Sequence, residues 1–405
     1  MKILWVKSGG LVPLDHGGKI RSYHLARELA RRHDVTLFTF YPSTRDDKHN
    51  ELKSVFSRVI GLPLSIPAQR SRHEYLAYFK NLFSGLPYSM VKYCQPQAAK
   101  ELRELLEQET FDIIVCDFLL TAAVIPWDLP GLKVIFTHNI EARIWQRHFQ
   151  LARNPLWKAA SYREFRTMKR MEQDYLKSAD YVLTVSEVDR HFFCSFLDPL
   201  KIAVIPTGVD INYFRPKPDA EQLNTLVFTG SMDWKANEDG IVYFADKILP
   251  HIRRQIPDVS LFVVGRRPSA RIEQLAARDS ALKITGTVDD VRPYVAKASV
   301  YVVPLLVGGG TRLKIFEAMA MGKAVVSTSI GAEGLSVTPE ENILLADDPV
   351  DFARQVILLL SDAKRRNELA HAARQLVERN YSWSAVGEHF SSVLIQMRRN
   401  NWRPV

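Results

Sequence analysis

The sequence reads as an α/β protein of two Rossmann-like domains, each a parallel sheet covered by helices, facing each other across a cleft. Three observations carry this reading. Short apolar runs alternate with helical patterns, the alternation restarts halfway along the chain, and a glycine-rich turn precedes a helix in each half. The chain has 405 residues, more than one ordinary core supports. With 46% hydrophobic and 24% charged residues its composition is that of a globular protein, which excludes a disordered chain.

The first series of runs is KILWV, VTLFTF, FDIIVC, KVIFT and YVLTV; the second is TLVFTG, LFVVG, LKITG, SVYVVP and KAVVST. Continuous β-branched and aromatic runs separated by helical stretches are the pattern of parallel strands buried on both faces. Between the series, IPTGVDINYFRPKPDAEQLN breaks the pattern with prolines and polar residues. The expected domains are therefore 1–206 and 207–383, with a final amphipathic helix over 384–405, capped by Ser382 or Ser384, packing back on the first. No G-x-G-x-x-G follows the first strand, which speaks against a dinucleotide-dependent dehydrogenase, and a single barrel does not explain the restart. Two helical regions interrupt the first series, one from about Arg72 to Lys92 and one over NPLWKAASYREFRTMKRMEQDYLKSAD. Cations surround the apolar stripe of the second, as on a solvated helix face.

The 54 Lys and Arg against 45 Asp and Glu leave a formal charge of +9. That balance suits nucleotide phosphates, anionic lipid or nucleic acid. The basic residues are spread over both halves without a recognisable reading module, so nucleic acid is not an expected partner. Cys94, Cys116 and Cys194 form no C-x-x-C and no metal-like cluster, as expected of free thiols in a reducing compartment. MKILWVKSGG reads as a first strand rather than a leader, and no run approaches the roughly 18 to 20 apolar residues of a membrane span. The expected location is cytoplasmic, with peripheral contact at the inner face of the plasma membrane.

Two turns carry chemistry. In VPLDHGGKIRSYHLARELARR, Gly17 and Gly18 stand just before a helix, where backbone amides meet a phosphate or simply close a tight loop. In VGGGTRLKIFEAMAMG, residues 307–322, Gly308, Gly309, Gly310 and Thr311 exceed what a turn requires, and Arg312 and Lys314 stand where they neutralise a diphosphate. A carboxylate beside a diphosphate is repelled by it, so Glu317 has either a neutral diol such as a ribose as its target or one of these cations as its partner.

IPTGVD, the TG after TLVF, VVG, ITGTVDDVRPYVAKASVYVVP and KIFEAMAMGKAVVST, in that order, resemble the C-terminal domain of retaining glycosyltransferases of the GT-B fold, family 4. The first half is similar more loosely, through the Gly17–Gly18 turn, THN and TVSEVDR. The resemblance implies transfer of a sugar from a UDP- or GDP-sugar to a glycan or lipid-linked glycan, as in cell-surface polysaccharide synthesis. It also implies that Glu317 holds the ribose, that Gly17, Gly18, Gly230 and Gly265 approach the donor, and that Thr287 and Val288 contact the base. His138, in FTHNIEAR, matches the family's active-site histidine, in a role that orients sugar or acceptor. Arg312 and Lys314 stabilise the departing diphosphate, and no metal is expected, since no Asp-x-Asp occurs. Three positions depart from the family: Gly309 replaces the first glutamate of E-x7-E, Ser231 replaces the arginine after TG, and the usual lysine beyond it has only Lys235 nearby. The alternatives are a nucleotide-sugar 2-epimerase and a non-catalytic binding subunit.

Residues 70–93, RSRHEYLAYFKNLFSGLPYSMVKY, alternate aromatics and leucines with Arg70, Arg72, Lys80 and Lys92. Such a segment either lays its rings at the headgroup level of an anionic membrane or packs them into the core.

Overall fold

The computed structural model describes residues 1–405 except 15–16, 42–47, 64–65, 68–70, 94, 153, 308–312 and 400–405. The chain divides into two compact units, Met1–Pro206 with Val386–Val405, and Thr207–Ala385.

The first unit is built on seven parallel strands: β1 Lys2–Lys7, β2 Asp34–Tyr41, β3 Arg58–Pro63, β4 Ile113–Asp117, β5 Leu132–Phe136, β6 Tyr181–Thr184 and β7 Ile202–Val204. Their order is β3-β2-β1-β4-β5-β6-β7. Central strands bury both faces: all of β4, and all of β1 after Lys2, are shielded from solvent, which is why these runs are apolar without alternation. Strand order reverses direction between β1 and β4, where the ladder sets Lys7 opposite Asp117. In open parallel sheets the crevice at such a switch point, beyond the carboxyl ends of the strands, is where ligands bind.

Helices connect these strands. Gly17–Ala30 follows β1. Glu141–Leu151 follows β5 and packs antiparallel on the long helix Pro155–Ser178: the Glu141 amide meets Glu172, while His148 meets Trp157, ring centroids 6.0 Å apart. Asn154 caps the long helix by accepting the Leu156 and Trp157 amides, and Pro155 takes the first position, where no N–H is needed. The region expected to be one helix from Arg72 to Lys92 is two, Arg72–Asn81 and Tyr88–Val91. Pro87 lies between them, and proline both lacks an amide donor and disfavours helix at the residue before it.

The last helix, Trp383–Arg398, begins where Ser382 accepts the Ala385 amide. From Val386 onward it belongs to the first unit, where the Phe390 ring packs 6.0 Å from Trp5 and 5.7 Å from Phe136.

The second unit holds six parallel strands: β8 Thr225–Thr229, β9 Ser260–Val264, β10 Leu282–Gly286, β11 Val300–Val303, β12 Ala324–Ser327 and β13 Leu344–Leu345. Their order, β10-β9-β8-β11-β12-β13, repeats the winding of the first sheet and puts the reversal between β8 and β11. No helix among the described residues is long and apolar enough to cross a membrane.

Candidate functional site

In the second unit the switch point is lined by the residues that follow β8 and β9 and by the helix Leu313–Ala320. Close packing dictates both glycines here. A Cβ on Gly265 would overlap the Gly230 carbonyl oxygen, and one on Gly230 would lie 2.7 Å from Lys314 Nζ and 2.8 Å from Asn237 Nδ2. Lys314 donates to Asn237 Oδ1 at 3.0 Å and lies 4.1 Å from the centre of the Phe228 ring. One turn further along the helix is Glu317. It is half-buried, and among the described residues its carboxylate has no hydrogen-bond or ion-pair partner. Burial pushes this carboxyl up to about 7, against the pull of Lys314. Below it, Tyr301 and Thr229 share a hydrogen bond of 2.5 Å between hydroxyls.

The other positions singled out in this unit differ in their surroundings. Gly309, Gly310, Thr311 and Arg312 lie outside the described residues. Thr287 is exposed, and Val288 leans on the core just beyond β10. Lys235 pairs with Asp239 at 2.9 Å and Glu238 at 3.5 Å on the outside of its own helix. Ser231, standing where the family has arginine, donates to Asp233 Oδ1 and accepts from Arg266 Nε at 2.8 Å. Arg266 thus brings a guanidinium to the position that the sequence left without one. The only sequence signal for it was an Arg-Arg pair directly after Gly265.

At the switch point of the first unit, the charged groups at the ends of β1 and β4 meet His138, two residues beyond β5. Asp117 Oδ1 accepts from His138 Nε2 at 2.8 Å, and Arg21 Nη1 lies 3.1 Å from His138 Nδ1. An ionised aspartate only accepts and a guanidinium only donates, so these neighbours select the neutral tautomer with its proton on Nε2. Asp117 Oδ2 also accepts the Trp5 indole N–H at 3.0 Å and pairs with Lys7 Nζ at 3.5 Å.

Electrostatics follow from that geometry. Burial pushes His138 down to about 4, and Arg21 and Lys7 push the same way, outweighing the aspartate. Asp117 is held down at about 2: burial would raise it, but the Lys7 charge and the hydrogen bond from His138 prevail. No ring nitrogen is left over to take a proton from an attacking hydroxyl. The histidine is a member of a closed network whose ring stacks on Phe118, with centroids 3.8 Å apart. Phe118 itself holds φ at 69°, a conformation that costs a bulky residue about 1–3 kcal/mol and persists only where its surroundings impose it. Lys7, Arg21 and Asp117 were not singled out in the sequence. For Lys7 and Asp117 the signal was a charged residue closing an apolar strand, in KILWVK and IIVCD.

Gly17 and Gly18 open the helix Gly17–Ala30, with no acidic residue in the first turn to compete for the amides. Beyond His138, Glu172 accepts the Glu141 amide at 2.8 Å and so caps the start of the helix Glu141–Leu151. Burial pushes Glu172 up to about 8, with Glu141 adding to it, and burial pushes Glu141 up to about 7. Among the described residues no group of three or more His, Cys, Asp or Glu side chains is arranged to hold a metal ion.

Two parallel-sheet units wound alike, each with charged groups at its switch point, define the GT-B class of glycosyltransferase fold. Residues 16–213 match the family described as Glycosyltransferase Family 4, and residues 224–362 match Glycosyl transferases group 1. The chain belongs to this glycosyltransferase family. It is 24% identical over 405 residues to an uncharacterized 44.6 kDa protein in the cps region of Klebsiella pneumoniae, covering 97% of this chain and 98% of that one. It is 25% identical over 213 residues to a GDP-mannose-dependent monoacylated alpha-(1-6)-phosphatidylinositol monomannoside mannosyltransferase of Corynebacterium glutamicum. That match takes in 47% of this chain and 55% of the mannosyltransferase, a little over half its length. Among solved structures it resembles Anabaena HepE in complex with UDP, with a TM-score of 0.67 and 15% identity over 98% of this chain and 100% of that one, a likeness of fold.

Proposed function

We propose that the protein moves a hexosyl unit from a UDP- or GDP-linked donor to a glycan or lipid-linked glycan acceptor, with retention at the anomeric carbon and without a metal ion, in cell-surface polysaccharide or glycolipid synthesis. In this reading residues 207–383 take the nucleotide, and residues 1–206 with the terminal helix take the acceptor. The observation that carries it is the Glu317 carboxylate, held partly out of water at a switch point with no partner among the described residues. A ribose diol supplies the two donors such a group lacks. Breaking the anomeric bond leaves negative charge on the diphosphate, and cations already in place stabilise that charge. Lys314, Arg312 and Arg266 are the cations assigned to this work, with the Gly17–Gly18 amides and the backbone around Gly309, Gly310 and Thr311. His138 orients the sugar through its network rather than taking a proton, which the leaving phosphate oxygen accepts. Thr287 and Val288 face the base.

The test is a thermal-shift panel of nucleoside diphosphates and nucleotide sugars. A ligand at 100 times its dissociation constant adds about 2.7 kcal/mol of stability. Sugar release or transfer measured in excess EDTA then separates metal-independent chemistry from a reaction restored only by Mg²⁺ or Mn²⁺.

Membrane contact is part of the proposal. On the helix Arg72–Asn81 and just after it, Tyr75, Leu76, Phe79 and Phe83 are exposed, Phe83 by 85%, whereas Tyr88 and Met90 turn inward. Arg72 and Lys80 flank the outward group, while Lys92 is paired with Glu74 at 2.7 Å. Arg70 lies outside the described residues. Flotation with anionic vesicles that weakens with salt and with Lys80→Glu supports this contact. Failure to float at low salt removes it.

A further inference from the structure

The antiparallel pair of helices Glu141–Leu151 and Pro155–Ser178, with the end of the helix Glu187–Phe193, encloses an open cavity of about 120 Å³. One lining residue, Ala142, stands four positions after His138, which follows the carboxyl end of β5. Phe165, Phe192 and Phe196 form its apolar wall. The polar side chains that share the space, Arg143, Gln146, Lys169 and Gln173, have no hydrogen bond or ion pair among the described residues. Arg143 lies over the Phe192 ring, 4.3 Å from its centroid, and feels the charge of Asp189. Two other cations on the long helix are occupied: Arg163 donates to Glu164 and to the Ser84 carbonyl, and Arg170 to the Gly85 carbonyl.

Two cations without an ion pair and two amides without a hydrogen bond among the described residues, set beside an aromatic wall, match one kind of ligand. Ring C–H groups of a sugar meet the aromatic wall, hydroxyls meet the amides, and an anionic substituent meets Arg143 and Lys169. The one acid in the cavity is Glu172, only 2% exposed, which burial holds largely protonated at neutral pH, so it does not repel an anion. A volume of about four waters is below the roughly 300–1,000 Å³ of a whole-ligand pocket and suits a single group of a longer molecule.

We propose that this cavity is an acceptor subsite for one acidic sugar residue, carrying a carboxylate or a phosphate. The proposal rests on the glycosyltransferase reading above. It is tested by ligand-observed NMR titration of the full chain with methyl glucuronide, glucose 6-phosphate and methyl glucoside. The parent is expected to bind one of the two anions on the order of tenfold more tightly than the neutral glucoside, and the better anion identifies carboxylate or phosphate. The double variant Arg143→Ala/Lys169→Ala, and separately Lys169→Glu, are expected to lose that preference with an unchanged melting temperature, since both side chains are exposed. Equal binding of all three sugars by the parent, or a preference that survives in the folded double variant, overturns the subsite. UDP- and GDP-induced thermal shifts on the same parent sample separate the two claims. Without a donor shift the transferase reading fails and the subsite with it; a donor shift without anion preference sinks the subsite alone.

Discussion

The two switch points arise from the same winding and are finished in opposite ways. In the first unit Lys7, Asp117, His138 and Arg21 satisfy one another, and Trp5 completes the aspartate. In the second unit the packing around Gly230, Gly265 and Asn237 is equally close, yet Glu317 has no partner among the described residues. A closed network fixes geometry and offers no chemistry until something displaces it. An open carboxylate in a partly dry place is costly until a ligand supplies its donors. On the proposed reading the first arrangement is scaffolding for a reaction carried out beside it, and the second is a receptor.

If that contrast is right, the largest effect comes from opening the closed side. Asp117→Asn keeps the shape but leaves the Lys7 ammonium buried without its counter-charge. It should cost about 3–5 kcal/mol in chemical denaturation, the usual result of breaking a buried pair from one side. A loss below about 1 kcal/mol would mean that the network is incidental.

Next comes Gly265→Ala, whose Cβ has no room beside the Gly230 carbonyl. Overpacking of this kind costs about 1–3 kcal/mol, and here the obstacle is backbone rather than a side chain that swings away. Donor affinity should fall with it, because Gly230 cannot shift without moving Lys314.

The pH dependence of the unliganded protein should have opposite signs at the two places. Folding raises Glu317 from 4.5 to about 7, so its share of stability is complete below pH 4.5 and is lost as pH rises to 7. Folding lowers His138 from 6.5 to about 4, so its share is present above pH 6.5 and is lost as pH falls through 4. Denaturation midpoints measured from pH 4 to 8 should lose the first slope in Glu317→Gln and the second in His138→Gln. Slopes of the same sign at both positions contradict the contrast.

Smallest of all is Lys235→Ala. Its ammonium meets Asp239 and Glu238 on an exposed turn, so neither the melting temperature nor donor affinity should change measurably. A clear loss of donor affinity would restore this lysine to the site.

How much of this could be read in the sequence depended on distance along the chain. Parallel strands showed themselves because burial on both faces leaves apolar runs without alternation, and the long helix over 155–178 because its cations surround an apolar stripe. Glu317 stood out because a carboxylate among glycines and cations is chemically odd. The Lys7–Asp117–His138 network was invisible, since its members lie 110 and 21 positions apart and only the sheet register brings them together. The same holds for Arg266, which reaches Ser231 across two strand ends 35 residues apart. Region 72–92 was misread as one helix because its aromatic spacing is helical throughout, and Pro87 overrides that spacing.

The central claim, that Glu317 is the receptor for the donor ribose, is tested most directly by calorimetry with UDP and GDP and with their 2′,3′-dideoxy forms. The parent should bind the ribonucleotide diphosphate that it prefers about 1.5–3 kcal/mol more tightly than the dideoxy form, because a charged hydrogen bond is at stake. In Glu317→Ala the two forms should bind alike, each about as weakly as the dideoxy form binds the parent. A ribose preference that persists undiminished in the folded variant would contradict the account.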